Sequence, residues 1–218
     1  MDMFLFVRYG PQILVGLKYT VVIWVLGSAI AIVLGFLLGL ALSFGNRSIV
    51  LPLRGYVELF RGTPLLAQLF LVYYGGPSIG ITLDASTVGL LGLGLYGSAY
   101  FAEIFRAGFV SIPRSQFEAA ASFGIPKFAQ LRYVTLPQIS VLVIPPSANL
   151  LIVLLKDTAI LSILTVPELT FQVTGMTIET FAFVEPFVAL AVVYWTLTEL
   201  VAFFGRRLEV RVGKYLRP

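Results

Sequence analysis

The chain has 218 residues, of which 58% are hydrophobic and 12% charged, and its mean hydropathy is +0.94. So few polar residues cannot cover a soluble globule, and the composition is that of an integral membrane protein. Because the sequence contains no cysteine and no histidine, it excludes disulfides, thiolate metal sites and imidazole acid–base chemistry.

Five apolar stretches reach the length of roughly 20 residues that a helix needs to cross a bilayer. They lie near 14–43, 56–75, 86–108, 139–164 and 186–205. The first is too long for the apolar core of a secretory signal, so we expect it to remain as a mature helix. The predicted fold is an all-α integral membrane protein, one domain over 1–218, with about five transmembrane helices and a long polar loop at 109–138.

Small residues recur every four positions within the first stretch. Gly27, Ala31, Gly35 and Gly39 would share one face of a helix, where the lack of bulk permits another helix to approach closely. Such a stripe predicts helix–helix packing and carries no information about a substrate.

Basic residues are concentrated in alternate connections and in the C-terminal tail. The connections after the second and fourth stretches carry acidic residues but no lysine or arginine. The positive-inside rule therefore places the N-terminus outside, and the tail and the 109–138 loop in the cytoplasm, with Arg8 and Lys18 as exceptions. The same topology accounts for the net charge of +4, and no aromatic–basic motif points to a nucleic acid. The cytoplasmic basic residues are Arg47, Arg54, Arg61, Arg106, Arg114, Lys127, Arg132, Arg206, Arg207, Arg211, Lys214 and Arg217.

Charged groups inside a span need a partner or a function, because placing one in the membrane costs about 2.5–3.5 kcal/mol or more. Glu58 with Arg61, and Glu103 with Arg106, are spaced three residues apart on predicted helices, so each pair can be neutralised internally. We interpret both as ion pairs near the cytoplasmic ends of their helices.

The loop at 109–138 carries the signals of two short helices joined by a sharp turn. Ser115 and Glu118 have the S-x-x-E spacing of a capping box, which predicts that the first helix begins at Ser115. Gly124 is placed as a left-handed glycine after that helix, and Pro126 as the opening residue of the next. An ordinary interfacial loop would fit the same pattern. The residues available for a partner are Phe117, Ala119, Ala120, Ala121 and Phe123.

This loop resembles the EAA loop of ATP-binding-cassette (ABC) importer permeases. Glu118-Ala119-Ala120, Gly124, Val134 and Leu136-Pro137 match that loop in residue type and spacing. Other segments resemble the polar amino acid permease subfamily over nearly the whole chain. They are RGTPLL with Gln68 at 61–68, YFAEIFRAG at 100–108, SIP with Gln116 at 111–116, and LKDT with Ser162 at 155–162, where Ser115 and Ala159 replace the subfamily's usual glycine and serine.

The resemblance implies a type I ABC importer permease in a bacterial cytoplasmic (inner) membrane. Two permease chains, identical or paralogous, would form the pathway for a polar amino acid. A cytoplasmic ATPase dimer would bind ATP and Mg²⁺, and an extracytoplasmic binding protein would deliver the substrate. In that family the loop is a coupling helix that docks in the ATPase, which here concerns Ser115, Glu118, Ala119, Ala120, Phe123, Gly124, Leu136 and Pro137.

We expect no enzymatic activity and no cofactor in this chain. No lysine is followed by serine or threonine, so the phosphate-binding loop of an ATPase is absent from the sequence. Two alternatives stay open: an importer of another small polar solute through the same fold, and a channel or secondary transporter that works without an ATPase.

The fourth stretch contains the candidate substrate residues. The Pro145–Pro146 pair is expected to kink or unwind its helix, and transporters build substrate sites at broken helices near mid-membrane. Lys156 and Asp157 point about 100° apart, so they pair poorly with each other. For an amino acid substrate, Asp157 could accept the ammonium group, with Thr158 and Ser162 as hydroxyl acceptors. The alternative is a structural pair between Asp157 and Lys156 of a second chain or another span.

Overall fold

Helices account for every predicted span in the computed structural model, which describes residues 3–213, with side chains from Arg8 onward. In chain order they are α1 (Met3–Phe44), α2 (Arg47–Gly62), α3 (Leu65–Phe70), α4 (Ala85–Val110), α5 (Arg114–Ser122), α6 (Lys127–Gln130), α7 (Leu136–Asp157), α8 (Leu169–Thr180) and α9 (Val184–Gly213). Residues 3–213 contain no strand, so the predicted all-α class is confirmed. Lys214 and Arg217 of the predicted cytoplasmic tail lie outside the described residues.

Four helical segments in the described part of the chain are long and apolar enough to cross a membrane. They are Arg8–Phe44, Ala85–Val110, Lys127–Leu164 and Val184–Gly213, and they contain the predicted stretches at 14–43, 86–108, 139–164 and 186–205. With 30 residues, α9 is about 45 Å long and exceeds a hydrocarbon core of about 30 Å. The basic end of α9 therefore projects beyond the membrane.

The predicted span at 56–75 is two helices rather than one. Helix α2 ends at Gly62, and α3 begins at Leu65 and continues through a π-helical turn (Leu71–Gly75) and a 3₁₀ turn to Ile79. Thr63 is extended because the proline that follows it disfavours the helical region. The Gln68 side-chain amide donates to the Phe60 and Thr63 carbonyls at 3.0 and 3.1 Å, so it satisfies the backbone groups that the break exposes.

The small-residue stripe of α1 packs against α4, as its spacing predicts. A Cβ added at Gly35 would lie 2.3 Å from the Phe101 Cβ, and one at Gly39 would lie 2.7 Å from the Phe105 Cβ. Ala31, from the same face, is fully buried. The approach of the two helices therefore depends on the absence of side chains on this face of α1.

Of the predicted kink or unwinding at Pro145 and Pro146, the unwinding does not occur. Helix α7 continues through both prolines to Asp157, since each proline removes only its own N–H and can keep helical backbone angles on both sides. The helix instead tightens into a 3₁₀ turn at Thr158–Leu164, and the chain then turns at Thr165, whose φ is +62°. The irregular backbone therefore lies directly after Asp157.

Asp84 caps the N-terminus of α4 on the connection after the second predicted span. Its carboxylate accepts the Thr87 N–H at 3.0 Å and the Thr87 hydroxyl at 2.6 Å. These hydrogen bonds hold the pKa of the Asp84 carboxyl below its usual range, and the bond from the Thr87 hydroxyl has the largest effect.

Replacing Asp84 by alanine is expected to lower the thermal unfolding midpoint of the detergent-solubilised protein near neutral pH. A carboxyl with a lowered folded-state pKa stabilises above its unfolded pKa of about 3.9, and this contribution disappears as the pH falls through the folded value. The difference between variant and wild type should therefore shrink from pH 5 toward pH 2. Asp84→Asn, which keeps a capping oxygen at every pH, is the control. An Asp84→Ala deficit that is constant with pH would contradict the expectation.

Candidate functional site

The prediction that the 109–138 loop contains two short helices joined by a sharp turn is tested first by the geometry at Gly124. This glycine has φ +68°, its N–H donates to the Ala121 carbonyl at 2.9 Å, and the Ile125 N–H donates to the Ala120 carbonyl at 3.1 Å. These are the two hydrogen bonds of a Schellman motif, which ends a helix with a left-handed glycine. The predicted sharp turn between two short helices is therefore present.

The predicted helix starts in this loop need correction. Helix α5 begins at Arg114 with Pro113 as its N-cap, and no side chain caps it. Ser115 consequently lies inside the first turn with helical backbone angles, so it cannot act as the capping residue of the S-x-x-E box. Pro126 is the N-cap of α6 rather than its first residue.

The two aromatic anchors of the loop have different environments. Phe117 packs inward, with its ring centroid 6.1 Å from that of Phe44, and the Gln130 amide donates to the Phe117 carbonyl at 3.1 Å. Phe123 is 85% exposed and Phe128 is 74% exposed. The loop therefore offers an outward apolar surface to a partner while its inner side is held by the spans.

The remaining loop residues are distributed over both sides of α5 and the start of α7. Ala120 is buried, whereas Glu118, Ala119 and Gly124 are exposed. Leu136 and Pro137 form the first turn of α7, where the chain leaves the loop. We define the outward set Glu118, Ala119, Phe123, Gly124 and Phe128 as the loop face.

Of the two predicted ion pairs, one forms and one does not. The Arg106 Nη2 atom lies 2.8 Å from the Glu103 Oε2 atom. Within the described side chains Glu58 and Arg61 do not form an ion pair, so that prediction is wrong. The Arg61 guanidinium lies instead 5.4 Å from the centre of the Tyr100 ring, because it reaches across from α2 to α4. Arg61 therefore forms no ion pair with a carboxylate among the described residues.

The four candidate substrate residues lie at the end of α7 and in the 3₁₀ turn. Lys156 is exposed, and Asp157 is partly buried. Thr158 is fully buried, and its hydroxyl donates to the Leu155 carbonyl at 2.6 Å. The Ser162 hydroxyl likewise donates to the Ala159 carbonyl at 2.7 Å. Both hydroxyl groups thus donate to backbone carbonyls of their own turn. Among the four residues, the Asp157 carboxylate is the strongest hydrogen-bond acceptor.

A cavity of about 410 Å³ between α2, α4 and α7 brings together polar residues that the sequence predictions did not combine. It lies near the middle of α4 and α7, and Asp157 lies about one helical turn beyond Val153, which lines the cavity. The Tyr96 and Tyr100 hydroxyls are 3.1 Å apart. The polar residues lining the cavity are Arg61, Tyr96, Tyr100, Glu103 and Asn149.

A signal for this cavity was present in the sequence. Tyr96, Tyr100 and Glu103 are separated by four and three residues, which places them on one face of a helix. The contributions of Arg61 and Asn149, from two other helices, had no such signal.

The polar groups around this cavity are chemically complementary to a small zwitterion. Arg61 offers an unpaired guanidinium, which binds carboxylates well. The tyrosine hydroxyls and the Asn149 amide offer neutral donors and acceptors, and Asp157 follows the lining residue Val153 by about one helical turn. The Glu103 charge is already neutralised by Arg106. An amino acid with one carboxylate and one ammonium group has the complementary charges.

Known proteins match the chain over nearly its full length. A family model for the inner membrane component of binding-protein-dependent transport systems matches residues 12–214. The Probable amino-acid ABC transporter permease protein YckA of Bacillus subtilis (strain 168) is 33% identical, with 94% of this chain and 91% of the relative covered. The arginine transport system permease protein ArtQ of the same organism is 32% identical, with 91% of each covered.

Solved structures agree with these relatives. A crystal structure of an amino acid ABC transporter with histidines is 34% identical, has a TM-score of 0.87 and covers 97% of this chain and 99% of its own. An inward-facing form of the MetNI methionine ABC transporter has a TM-score of 0.79 at 19% identity, covering 96% of this chain and 97% of its own, which supports the fold alone. With its fold, its loop and its full-length relatives, the chain belongs to the family of binding-protein-dependent transport system inner membrane components, the permease subunits of ABC importers.

Proposed function

We propose that this chain is the permease subunit of an importer for a polar amino acid. The observation that carries the proposal is the cavity between α2, α4 and α7, where Arg61 forms no ion pair with a carboxylate among the described residues. A charge left unpaired between membrane-spanning helices is costly unless a substrate or a partner neutralises it. The substrate carboxylate would bind Arg61, and its ammonium group would bind Asp157.

The proposal includes the partners that drive the cycle. Two permease chains form the pathway, separate cytoplasmic ATPases hydrolyse ATP with Mg²⁺, and an extracytoplasmic binding protein delivers the amino acid. The loop face is the contact with the ATPase, because it combines exposed aromatic rings with exposed small residues at a sharp turn. The N-terminus lies outside and the C-terminus in the cytoplasm, since the basic residues lie on the side of that loop.

Native mass spectrometry of the tagged protein, extracted gently from its own membrane, tests the assembly. We expect two permease chains with two ATPase chains.

Uptake by proteoliposomes that contain this complex and the binding protein then tests the substrate, with a panel of radiolabelled polar amino acids. Arginine and histidine come first, since a relative is named for arginine and a solved neighbour is described with histidines. Extraction that repeatedly yields the permease without an ATPase, together with ATP-independent uptake, would favour a channel or secondary transporter.

Replacing Asp157 by asparagine is expected to lower amino acid uptake about ten-fold or more, because a neutral amide attracts an ammonium group less than a carboxylate does. Assembly with the ATPase and ATP binding should be unchanged. Glu199→Gln is the matched control, since it removes a carboxylate from an exposed position in α9 that is only loosely paired with Arg206, at 3.6 Å. Normal uptake kinetics in Asp157→Asn would show that Asp157 does not contact the substrate.

A further inference from the structure

Glu168 is a fully buried carboxylate between the 3₁₀ turn and α8, and no lysine or arginine pairs with it among the described residues. Its two oxygens accept the Thr170 N–H at 2.9 Å, the Phe171 N–H at 2.7 Å and the Tyr194 hydroxyl at 3.1 Å. The two backbone bonds make Glu168 the N-cap of α8. The bond to Tyr194 on α9 has no part in capping and needs another explanation.

Helix α8 is attached to α1 at the same point. The Leu169 N–H donates to the buried Thr20 hydroxyl oxygen at 3.0 Å. A Cβ on Gly16 would lie 2.9 Å from the Leu169 Cα, so the backbones of α1 and α8 are in direct contact. Since α1 also packs closely along α4, the carboxylate of Glu168 is fixed relative to the main helix pair of the fold.

Tyr194 connects the Glu168 carboxylate with the turn that follows Asp157. Its hydroxyl oxygen lies 3.4 Å from the Thr158 Oγ1 atom and 3.3 Å from the Thr170 Oγ1 atom. Thr158 gives its own proton to the Leu155 carbonyl, so the contact with Tyr194 is mainly one of packing against a buried side chain. The Tyr194 hydroxyl therefore donates its hydrogen bond to the Glu168 carboxylate. Thr158 is the residue directly after Asp157, at the point where α7 changes to a 3₁₀ turn.

We infer that Glu168 and Tyr194 are positioning residues for transport: through the Tyr194 hydroxyl they hold the Asp157–Thr158 turn in the orientation that receives the substrate. Neither side chain touches the cavity. This inference rests on the proposed substrate role of Asp157. It goes beyond that role because it makes substrate capture depend also on α8 and α9, the two helices that follow the Asp157–Thr158 turn in the chain.

Two single variants separate positioning from capping. Tyr194→Phe removes only the hydroxyl and leaves the cap of α8 intact. Glu168→Asp keeps a residue that caps helices well, but its side chain is one methylene shorter and no longer reaches Tyr194. Tyr19→Phe is the control for the loss of a tyrosine hydroxyl, because Tyr19 on α1 is 40% exposed.

The first measurement is hydrogen–deuterium exchange on the complete transporter complex in nanodiscs, which requires no substrate. In both variants we expect faster exchange over Thr158–Leu164, with unchanged protection over α8. The second is proteoliposome uptake, with arginine as the first probe followed by the other polar amino acids. The concentration that gives half-maximal uptake should rise about three- to ten-fold, as expected for one lost buried hydrogen bond, while the maximal rate stays within about two-fold.

The double variant Glu168→Asp/Tyr194→Phe provides the closing test. Because both changes break the same link, their effects on half-saturation should not add. Full additivity, or wild-type exchange and half-saturation in Tyr194→Phe, would overturn the inference. A purely structural role would instead reduce the yield of folded protein at unchanged half-saturation. If Asp157→Asn transports normally, the substrate assignment itself fails. If only Asp157→Asn is impaired, the positioning role fails and the substrate assignment stands.

Discussion

ATP-driven uptake is expected to fall about ten-fold or more when Gly124 is replaced by aspartate. Gly124 has φ +68°, and a side chain in this left-handed conformation costs roughly 1 kcal/mol. A Cβ at this position meets no atom of the chain within 4 Å, so the protein itself can accommodate the new side chain. The larger effect arises outside the chain, because a charged group would project from the loop face, where we propose that the ATPase docks.

Gly80→Asp is the matched control for this variant. Gly80 also has positive φ, +82°, and also has no atom within 4 Å of an added Cβ, but it lies in the connection on the opposite side of the membrane. Both variants pay the same backbone cost, and only Gly124→Asp changes the loop face. Uptake by proteoliposomes and copurification of the ATPase are the measurements. Equal uptake in the two variants would show that the turn at Gly124 does not contribute to coupling.

The second large effect concerns stability. Gly35→Leu is expected to destabilise the fold by about 3 kcal/mol or more, at the upper end of what overpacking costs. An added Cβ at Gly35 would lie 2.3 Å from the Phe101 Cβ, 3.0 Å from the Ser98 carbonyl oxygen and 3.1 Å from the Ala102 nitrogen. Two of these atoms belong to the backbone of α4, so a rotamer change cannot relieve the overlap, and α1 and α4 must move apart.

The thermal unfolding midpoint of the detergent-solubilised protein, followed by size-exclusion chromatography, measures this effect. Gly10→Leu is the control on the same helix, because nothing lies within 4 Å of a Cβ added there. Gly35→Leu should lose the monodisperse peak at a temperature where Gly10→Leu keeps it. Equal midpoints for both variants would contradict the close approach of α1 and α4.

Local patterns predicted those features whose causes lie within a few neighbouring residues. The left-handed turn at Gly124, the small-residue face of α1 and the Glu103–Arg106 ion pair all depend on spacings of three or four residues. The errors arose where two local rules competed. Pro113 caps α5 two residues before the expected Ser115, and the break in the second span falls at Thr63 because of the proline that follows it.

Hydropathy and residue spacing predicted the membrane class, the helical fold, the sharp turn of the 109–138 loop and the family, because they are properties of the chain in one dimension. Which charged side chains form ion pairs depends instead on how the helices pack in three dimensions. Arg61 contacts Tyr100 rather than Glu58, and Glu168 contacts Tyr194 rather than a basic residue. Each of these contacts joins different helices, and its geometry is set by how closely those helices pack, which depends on side chains far apart in the sequence.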